Sequence, residues 1–412
     1  MMSFCIFNNH LSIALVISLN VILTASTQPE LKLVNVVFRH GDRTPGNNEH
    51  ESFPTDPYAN DSFLPTSAGQ LTNQGKRREY ELGLVLRSRY KDFLGDLYLP
   101  KLAVGHSSFY DRTKMSLQLV LAALFPPTHN RQRWNDDLNW QPIPATYISR
   151  IDDNFYLGYE CPKYLNEYDR ILNLPDIIKE MSRFKDIMNK LSELTGKNIE
   201  KPLDLLYLYS TFLVESSMNL TLPEWVHDYF PDGPLLDTII LTYKIANYTP
   251  LIRRLLAGPM IHAIFSNMIT AKNLIPSNTK LYLYSGHDAN IAAMLHAFQL
   301  NKCLTSMPQY SSAVILELLE QNQQYYVKIL YYRGIPPIFD ELQIPGCEML
   351  CPFDKFSYLI YDLIPSDKDI VCDKRQTPDY ANTEYPSTLE SKTYNLIKKH
   401  KFNGKMNSHK IF

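Results

Sequence analysis

The sequence predicts an α/β fold that a mostly helical domain interrupts. Three observations support this class. An almost wholly apolar run at residues 31–38 is followed by two further places, one from residue 99 and one much later from residue 280, where a short apolar run passes into a helical pattern. Between those two places, residues 161–256 are polar, charged and helix-periodic, with few strand-like runs. Alternating strands and helices are typical of a sheet covered by helices, and the long helical stretch predicts an insertion.

The first element is LKLVNVVF, residues 31–38, which is rich in Val and Leu. An uninterrupted apolar run of this kind predicts a central strand that is buried on both faces. Residues 46–67 are polar, contain many Pro, Asn and Asp residues, and predict a loop. The stretch LTNQGKRREYELGLVLRSRYKDFL then predicts a long helix with Thr72 as its N-cap.

Two later stretches each join a short strand to a helix. LPKLAVGHSS leads into FYDRTKMSLQLVLAALFPP, whose double proline predicts a helix that ends before Pro126. KLYLYSGHDANIAAMLHAF predicts a strand at 281–284, then Ser-Gly-His-Asp, then a helix. Beyond Ser311, AVILELL and YYVKILYY flank EQNQQ and predict an antiparallel hairpin.

These elements divide the chain into four segments. We expect residues 28–145 and 257–375 to form one discontinuous α/β domain. Residues 146–256 are expected to form the smaller, mostly helical domain. Residues 1–27 precede them as a targeting segment, and residues 376–412 follow as a polar tail.

Residues 1–27 have the composition of a signal peptide. Their apolar run, LSIALVISLNVILTA, is followed by small residues and is shorter than the roughly 20 residues that a membrane span needs. A membrane anchor is the alternative, because no Lys or Arg precedes the run. No later stretch is long and apolar enough to span a bilayer. We therefore expect a secreted protein, with the lysosomal lumen as the alternative.

Three sequons agree with a secretory route. They contain Asn60, Asn219 and Asn247, each followed two residues later by Ser or Thr. A single sequon often occurs by chance, but three behind a signal peptide together predict a glycoprotein.

The overall charge excludes some classes of function. Among 412 residues, 41 Lys and Arg face 43 Asp and Glu, for a formal net charge of -2. A chain so balanced has no general attraction for nucleic acid, and no nucleic-acid partner is expected. Any site for an anion must be built locally.

The cysteines predict at least one disulfide. Removal of the signal peptide leaves five: Cys161, Cys303, Cys347, Cys351 and Cys372. An odd number leaves one thiol unpaired in an oxidising compartment. Cys347 and Cys351 are close enough in sequence for a small disulfide loop. A metal site is the weaker alternative because no second Cys or His cluster with zinc spacing lies nearby, so no metal is expected.

Three short motifs each follow a strand and precede a helix: RHGDR at 39–43, DRT at 111–113 and GHD at 286–288. In α/β sheets, ligands bind outside the carboxyl ends of the strands, where helix N-termini favour phosphate. Arg39, Arg43 and Arg112 would add guanidinium groups that match phosphate oxygens. Each motif alone is also typical of a charged turn or a helix cap. Their common position predicts an anion pocket.

Such a pocket suits phosphoryl transfer. His40 could attack phosphorus through a ring nitrogen if it is neutral, and the surrounding guanidinium groups would lower its pKa. Asp288 is the candidate proton donor to the leaving group, which predicts an acidic pH optimum. The arginines and His287 would hold the phosphate oxygens. Asp42, beside them, is interpreted only as a turn residue.

At these residues the chain resembles the histidine acid phosphatases. Their signature RHGxRxP corresponds to residues 39–45, their middle arginine to Arg112 and their HD pair to His287 and Asp288. The similarity extends over about residues 30–375 and includes GQLTNQG, LAALFPP, WQPIP, LTLPEW and PGCEMLC. Stretches such as SSFYDRTKMSLQLVLAALFPP resemble the insect venom enzymes more than the prostatic and lysosomal ones.

The resemblance implies a mixed, mostly parallel sheet flanked by helices, with a smaller helical domain over the site. It implies a phosphomonoester hydrolase that uses no metal or other cofactor. His40 would be the nucleophile, Asp288 the proton donor, and Arg39, Arg43, Arg112 and His287 the phosphate-binding residues. It further implies the disulfides Cys161–Cys372 and Cys347–Cys351, and a possible homodimer.

Some positions depart from the family. Val214 stands where prostatic-type relatives have a cysteine, so Cys303 would be the spare thiol. Phe109 and His106 replace a common aspartate and a common arginine, and substrate preference could differ if they line the rim. Two alternatives to a general acid phosphatase stay open. One is a phytase or inositol-polyphosphate phosphatase, and the other is a secreted binding protein on a retired phosphatase scaffold.

Overall fold

The structure is a computed structural model that describes residues 28–46, 51–273 and 278–374. The signal peptide predicted at 1–27 and the tail predicted at 376–412 lie outside these ranges. Within them, no helix combines the length and the apolar character that a membrane crossing requires.

Eight strands and eleven α-helices make up the described chain. The strands are β1 Glu30–Arg39, β2 Ala103–Ser107, β3 Ala145–Tyr147, β4 Leu281–Gly286, β5 Ala313–Gln321, β6 Gln324–Tyr332, β7 Phe339–Leu342 and β8 Cys351–Pro352. The helices are α1 Asn73–Leu94, α2 Asp111–Leu124, α3 Pro162–Leu172, α4 Pro175–Ser182, α5 Lys185–Thr195, α6 Pro202–Ser217, α7 Pro234–Ala246, α8 Pro250–Leu256, α9 Gly258–Lys272, α10 Asp288–Ala297 and α11 Phe353–Ile360.

All eight strands form one mixed sheet in the order β3-β2-β4-β1-β5-β6-β7, with β8 also paired to β6. The pairs β3–β2, β2–β4 and β4–β1 are parallel. The pairs from β1 through β5 and β6 to β7 and β8 are antiparallel. Five strands, including β6, consequently run in one direction. The predicted mixed α/β sheet with flanking helices is confirmed, and so is the β5–β6 hairpin.

Strand β1 lies at the centre and separates two hydrophobic cores. Val34, Val36 and Phe38 pack with the core under α1 and α2. Leu33 and Val37 point to the other face, into the core that also contains side chains of α6 to α10. Burying an aliphatic or aromatic side chain of this size stabilises the fold by about 2 kcal/mol. The long apolar run in the sequence is therefore explained by burial on both faces.

Helix boundaries follow local signals. Thr72 caps α1, since its hydroxyl accepts a hydrogen bond from the backbone N–H of Gly75 at 3.0 Å, as predicted. Helix α2 ends at Leu124, two residues before Pro126. Residues 162–256 contain α3 to α8 and no strand. The division into domains at residues 145 and 257 stays a prediction.

Two disulfides join Cys161 to Cys372 and Cys347 to Cys351, the same pairs that the resemblance implies. Among the described cysteines, Cys303 is free and exposed.

The sequons differ in accessibility. Asn60 and Asn219 are exposed. Asn247 is only 2% exposed, and its side-chain amide donates a hydrogen bond to the carbonyl of Tyr243. A glycan on that amide nitrogen would have no path to solvent in the folded protein, so this structure does not support the glycan predicted at Asn247.

Candidate active site

The three sequence motifs meet at one edge of the sheet. In the parallel β1–β4 pair, Arg39 is opposite Gly286, and in the β2–β4 pair Ser107 is opposite Ser285. The loops that carry RHGDR, DRT and GHD are therefore neighbours, although His287 lies 248 positions after Arg39 in the chain. Helices α2 and α10 begin beside them, so their N-termini contribute partial positive charge.

His40 is buried and held in one orientation. Its Nδ1 lies 2.8 Å from the carbonyl oxygen of Gly41, which can only accept. Nδ1 therefore carries the proton in the neutral ring, and Nε2 keeps a free lone pair. Burial, followed by the charges of Arg112 and Arg39, holds the pKa of His40 well below its usual range. The ring is thus a neutral base and nucleophile even in mildly acidic solution.

Arg39 is fixed from two sides. Its Nη1 donates to the carbonyl of Pro308 at 2.5 Å, and its guanidinium lies 4.1 Å from the centre of the Tyr310 ring. Its Nε is buried and has no hydrogen-bond partner in the described structure. A buried N–H without an acceptor is costly, which fits a ligand oxygen at this position.

Arg112 repeats this arrangement from the opposite loop. Its guanidinium lies 4.1 Å from the centre of the Tyr110 ring, and its Nε is likewise buried without a partner among the described residues. Burial and the nearby charge of Arg43 lower the pKa of Arg112. An anion between Arg39 and Arg112 would accept hydrogen bonds from their two Nε atoms. Its negative charge would also reduce the repulsion between Arg112 and Arg43.

Arg43, by contrast, has a carboxylate partner. Its Nη1 and Nη2 bind the two oxygens of Glu51 at 2.7 and 2.8 Å. Nη1 also donates to the carbonyl of Thr44 at 3.0 Å, and Nη2 donates to the hydroxyl of Ser210 at 3.4 Å.

His287 and Asp288 begin helix α10. The Nε2 of His287 lies 2.9 Å from the hydroxyl of Ser108, and burial, followed by the charge of Arg112, lowers its pKa well below the usual range. The rings of His287 and His40 are 5.5 Å apart between centroids. Asp288 is half-buried, and its Oδ2 accepts a 2.8 Å hydrogen bond from the hydroxyl of Tyr243. That contact fixes one oxygen and leaves Oδ1 available.

Asp42 is not a turn residue, contrary to the sequence interpretation. It is 1% exposed, and its carboxylate binds the Nε of Arg78 on α1 at 2.7 Å. The start of α1 packs so tightly here that a Cβ on Gly75 would lie 2.1 Å from the carbonyl oxygen of Asp42. Burial against a helix, which local composition does not reveal, explains the difference.

Sequence reasoning missed several residues of the site. The residues that it missed each contact a predicted site residue, and they are Tyr310, Glu51, Tyr243 and Ser108. Of the two substitutions expected at the rim, Phe109 is 38% exposed. His106 instead contacts the hydroxyl of Thr146 through its Nδ1 and stacks on Tyr284.

Within the described residues no group of three or more His, Cys, Asp or Glu side chains could hold a metal ion. The positive charge of the site comes from Arg39, Arg43 and Arg112.

Buried guanidinium groups whose Nε atoms have no acceptor among the described residues, next to a neutral imidazole, are typical of enzymes that act on anionic substrates. The comparison with known families specifies this class. Residues 30–332 match the model of the histidine phosphatase superfamily, branch 2, and the chain belongs to that family. The predictions that the chain is an enzyme and that it groups with the acid phosphatases are confirmed.

The relatives agree with this assignment. The chain is 47% identical to a venom acid phosphatase of Apis mellifera, over 91% of this chain and 96% of the relative. It is 32% identical to human prostatic acid phosphatase, over 83% of this chain and 88% of the relative. The stronger resemblance to venom enzymes than to prostatic ones is thereby confirmed. A solved phytase from Citrobacter braakii superposes with a TM-score of 0.64 at 17% identity, over 83% of this chain and 99% of that one. This likeness confirms the fold alone.

Proposed function

We propose that the protein is a secreted acid phosphatase that hydrolyses phosphate monoesters through a phosphohistidine on His40. The observation that carries the proposal is the environment of His40: its Nδ1 is hydrogen-bonded to the Gly41 carbonyl, which leaves Nε2 for the substrate, and the buried Nε atoms of Arg39 and Arg112 have no acceptor among the described residues. A neutral nucleophile next to unpaired positive charge is what transfer of a dianionic phosphoryl group requires.

In the first step, the lone pair of His40 Nε2 attacks phosphorus, and the bond from phosphorus to the ester oxygen breaks. Asp288 donates its proton to that oxygen, so the product leaves as an alcohol. In the second step, Asp288 takes a proton from water as the water attacks phosphorus. The phosphorus–nitrogen bond breaks, and inorganic phosphate leaves. Arg39, Arg43, Arg112 and His287 hold the three non-bridging oxygens in both steps.

A pH dependence follows from these roles. Asp288 must be protonated for the first step, while His40 must be neutral. Because burial and the neighbouring arginines lower the pKa of His40, it stays neutral at pH values where carboxylic acids begin to protonate. We therefore expect an acidic optimum.

We also propose that the α3 to α8 segment caps the site and that the protein is secreted. The disulfides Cys161–Cys372 and Cys347–Cys351 are compatible with an oxidising compartment. Exposed Asn60 and Asn219 are the proposed glycan sites. A homodimer stays a prediction.

Rapid quenching with ³²P-labelled aryl phosphate tests the mechanism. Label should be trapped on the wild-type protein and on the control His262→Ala, which changes an exposed histidine of α9. His40→Ala should trap none and should lose at least about three orders of magnitude in kcat. Unchanged turnover of His40→Ala would refute the assignment of the nucleophile.

A further inference from the structure

In the described part of the site, Glu51 is the one carboxylate that binds directly to a proposed phosphate-binding arginine, namely Arg43. Its two oxygens lie 2.7 and 2.8 Å from the terminal nitrogens of Arg43. The backbone N–H of Gly46 donates to Oε2 at 3.0 Å, and the hydroxyl of Thr211 on α6 donates to the Glu51 carbonyl at 2.7 Å. Both the side chain and the backbone of Glu51 are thus held in place.

These contacts restrict what Arg43 can offer a substrate. A guanidinium has four N–H groups on its two terminal nitrogens. In Arg43 these face the Glu51 oxygens, the carbonyl of Thr44 and the hydroxyl of Ser210. Arg39 and Arg112, in contrast, each keep a buried Nε that has no acceptor among the described residues. Arg39 and Arg112 therefore offer the phosphate N–H groups that have no other partner among the described residues, whereas Arg43 offers mainly its charge, which Glu51 offsets.

Glu51 also cancels, at one wall of the pocket, the positive charge that Arg43 would otherwise offer to a second anionic group. Burial acts to raise the pKa of Glu51, but Arg43 and then Arg112 lower it on balance, so the group is ionised. Burial, with a smaller contribution from the Glu51 charge, raises the pKa of Tyr110 and of Tyr207, so both phenols lie near this carboxylate. Arg150, whose guanidinium lies 6.0 Å from the centre of the Tyr110 ring, binds Glu160 at 3.0 Å. A second phosphate group directed to this wall would meet a carboxylate and phenols.

We propose that Glu51 is a specificity-determining residue: its carboxylate, seated on Arg43, makes the pocket select substrates with a single phosphate group over multiply phosphorylated ones. The inference rests on the proposed function and extends it to the substrate class. Like charges at close range in a partly buried site oppose binding, whereas the reacting phosphate still has Arg39 and Arg112.

The test compares kcat/KM for p-nitrophenyl phosphate and for phytate (myo-inositol hexakisphosphate) at one acidic pH. In Glu51→Gln, we expect the phytate to p-nitrophenyl phosphate ratio to rise about tenfold or more, because one unit of opposing charge is gone. Inorganic phosphate should inhibit more strongly as well. Glu51→Asp keeps the charge and should keep the wild-type ratio. Asp56→Asn removes a charge from the same loop, away from Arg43, and is the matched control.

Each outcome decides the question. An unchanged ratio in a folded, active Glu51→Gln protein overturns the proposal. Equal loss on both substrates, restored by Glu51→Asp, also overturns it, because Glu51 would then only position Arg43. Glu51→Ala supplies the same comparison should the glutamine variant not fold. Trapping of phosphohistidine on the wild-type protein tests the proposed function separately, since it does not depend on this ratio.

Discussion

Replacing Glu79 by glutamine is expected to remove part of the pH dependence of stability. Glu79 lies on α1 and is completely buried, next to the loop that supports Arg39. Its Oε1 accepts a 2.7 Å hydrogen bond from the hydroxyl of Ser311, while Oε2 has no partner among the described residues. Burial raises the pKa of Glu79 to about 8, and the nearby charge of Asp42 adds to this against Arg78 and Arg39. The neutral acid is therefore the form that the fold accepts.

The sign and the size of the effect of Glu79 on the free energy of unfolding follow from the linkage between protonation and folding. A group whose pKa is higher in the folded than in the unfolded protein stabilises the fold fully below the unfolded value of 4.5. That stability is lost as the pH rises toward about 8. Each pH unit in this window is worth about 1.4 kcal/mol. Between pH 5 and pH 7 the wild-type protein should thus lose about 2.5 kcal/mol of unfolding free energy through this residue alone.

Glutamine keeps an acceptor for Ser311 and does not titrate. Urea unfolding with disulfides intact, at pH 5 and pH 7, gives the free energy of unfolding for each protein. The decrease between the two pH values should be about 2.5 kcal/mol smaller in Glu79→Gln than in the wild type. Glu81→Gln, a half-buried position on the same helix, should behave like the wild type. Equal decreases in wild type and Glu79→Gln would refute the reasoning, since other buried acids such as Asp153 contribute equally to both.

Three further outcomes are expected. Tyr243→Phe removes the hydroxyl that binds Asp288, and kcat should fall about tenfold for alkyl phosphates but much less for p-nitrophenyl phosphate, whose leaving group needs no proton; equal losses on both substrates would contradict a role through Asp288. Cys372→Ser opens the bridge to Cys161 and should lower the free energy of unfolding in urea by about 2–4 kcal/mol, with little change in KM. Prolonged dialysis against EDTA should leave kcat unchanged, because the site takes its positive charge from arginines; activity restored only by added metal would show the opposite.

The sequence predicts correctly those site residues that lie at the end of a strand. RHGDR and GHD each follow an apolar run and precede a helix, so the general behaviour of α/β sheets places them together. The parallel register of β1 and β4 then sets Arg39 beside Gly286. Thr72 and Pro126 likewise gave local boundary signals, and both helix ends fall where those signals predict.

No such local signal marks Tyr243, Glu51 or the burial of Asn247. Tyr243 reaches Asp288 from a helix 45 residues earlier in the chain, and nothing in its neighbouring sequence distinguishes it from a core tyrosine. Glu51 lies in a polar loop, where a carboxylate is ordinarily solvated. Asn247 matches a sequon, yet the packing of α7 buries it. Tertiary packing decides all three, and periodicity and motif spacing do not encode it.

The charges around the site favour an acidic medium for stability and for chemistry together. His40 stays neutral there because its pKa is lowered, chiefly by burial and by Arg112. Glu79, which is hydrogen-bonded to Ser311, is protonated in an acidic medium because burial raises its pKa to about 8. Raising the pH would ionise Glu79 near the segment of Ser311 and Tyr310, and Tyr310 is the ring that stacks on Arg39. An alkaline medium should therefore weaken the support of a phosphate-binding arginine.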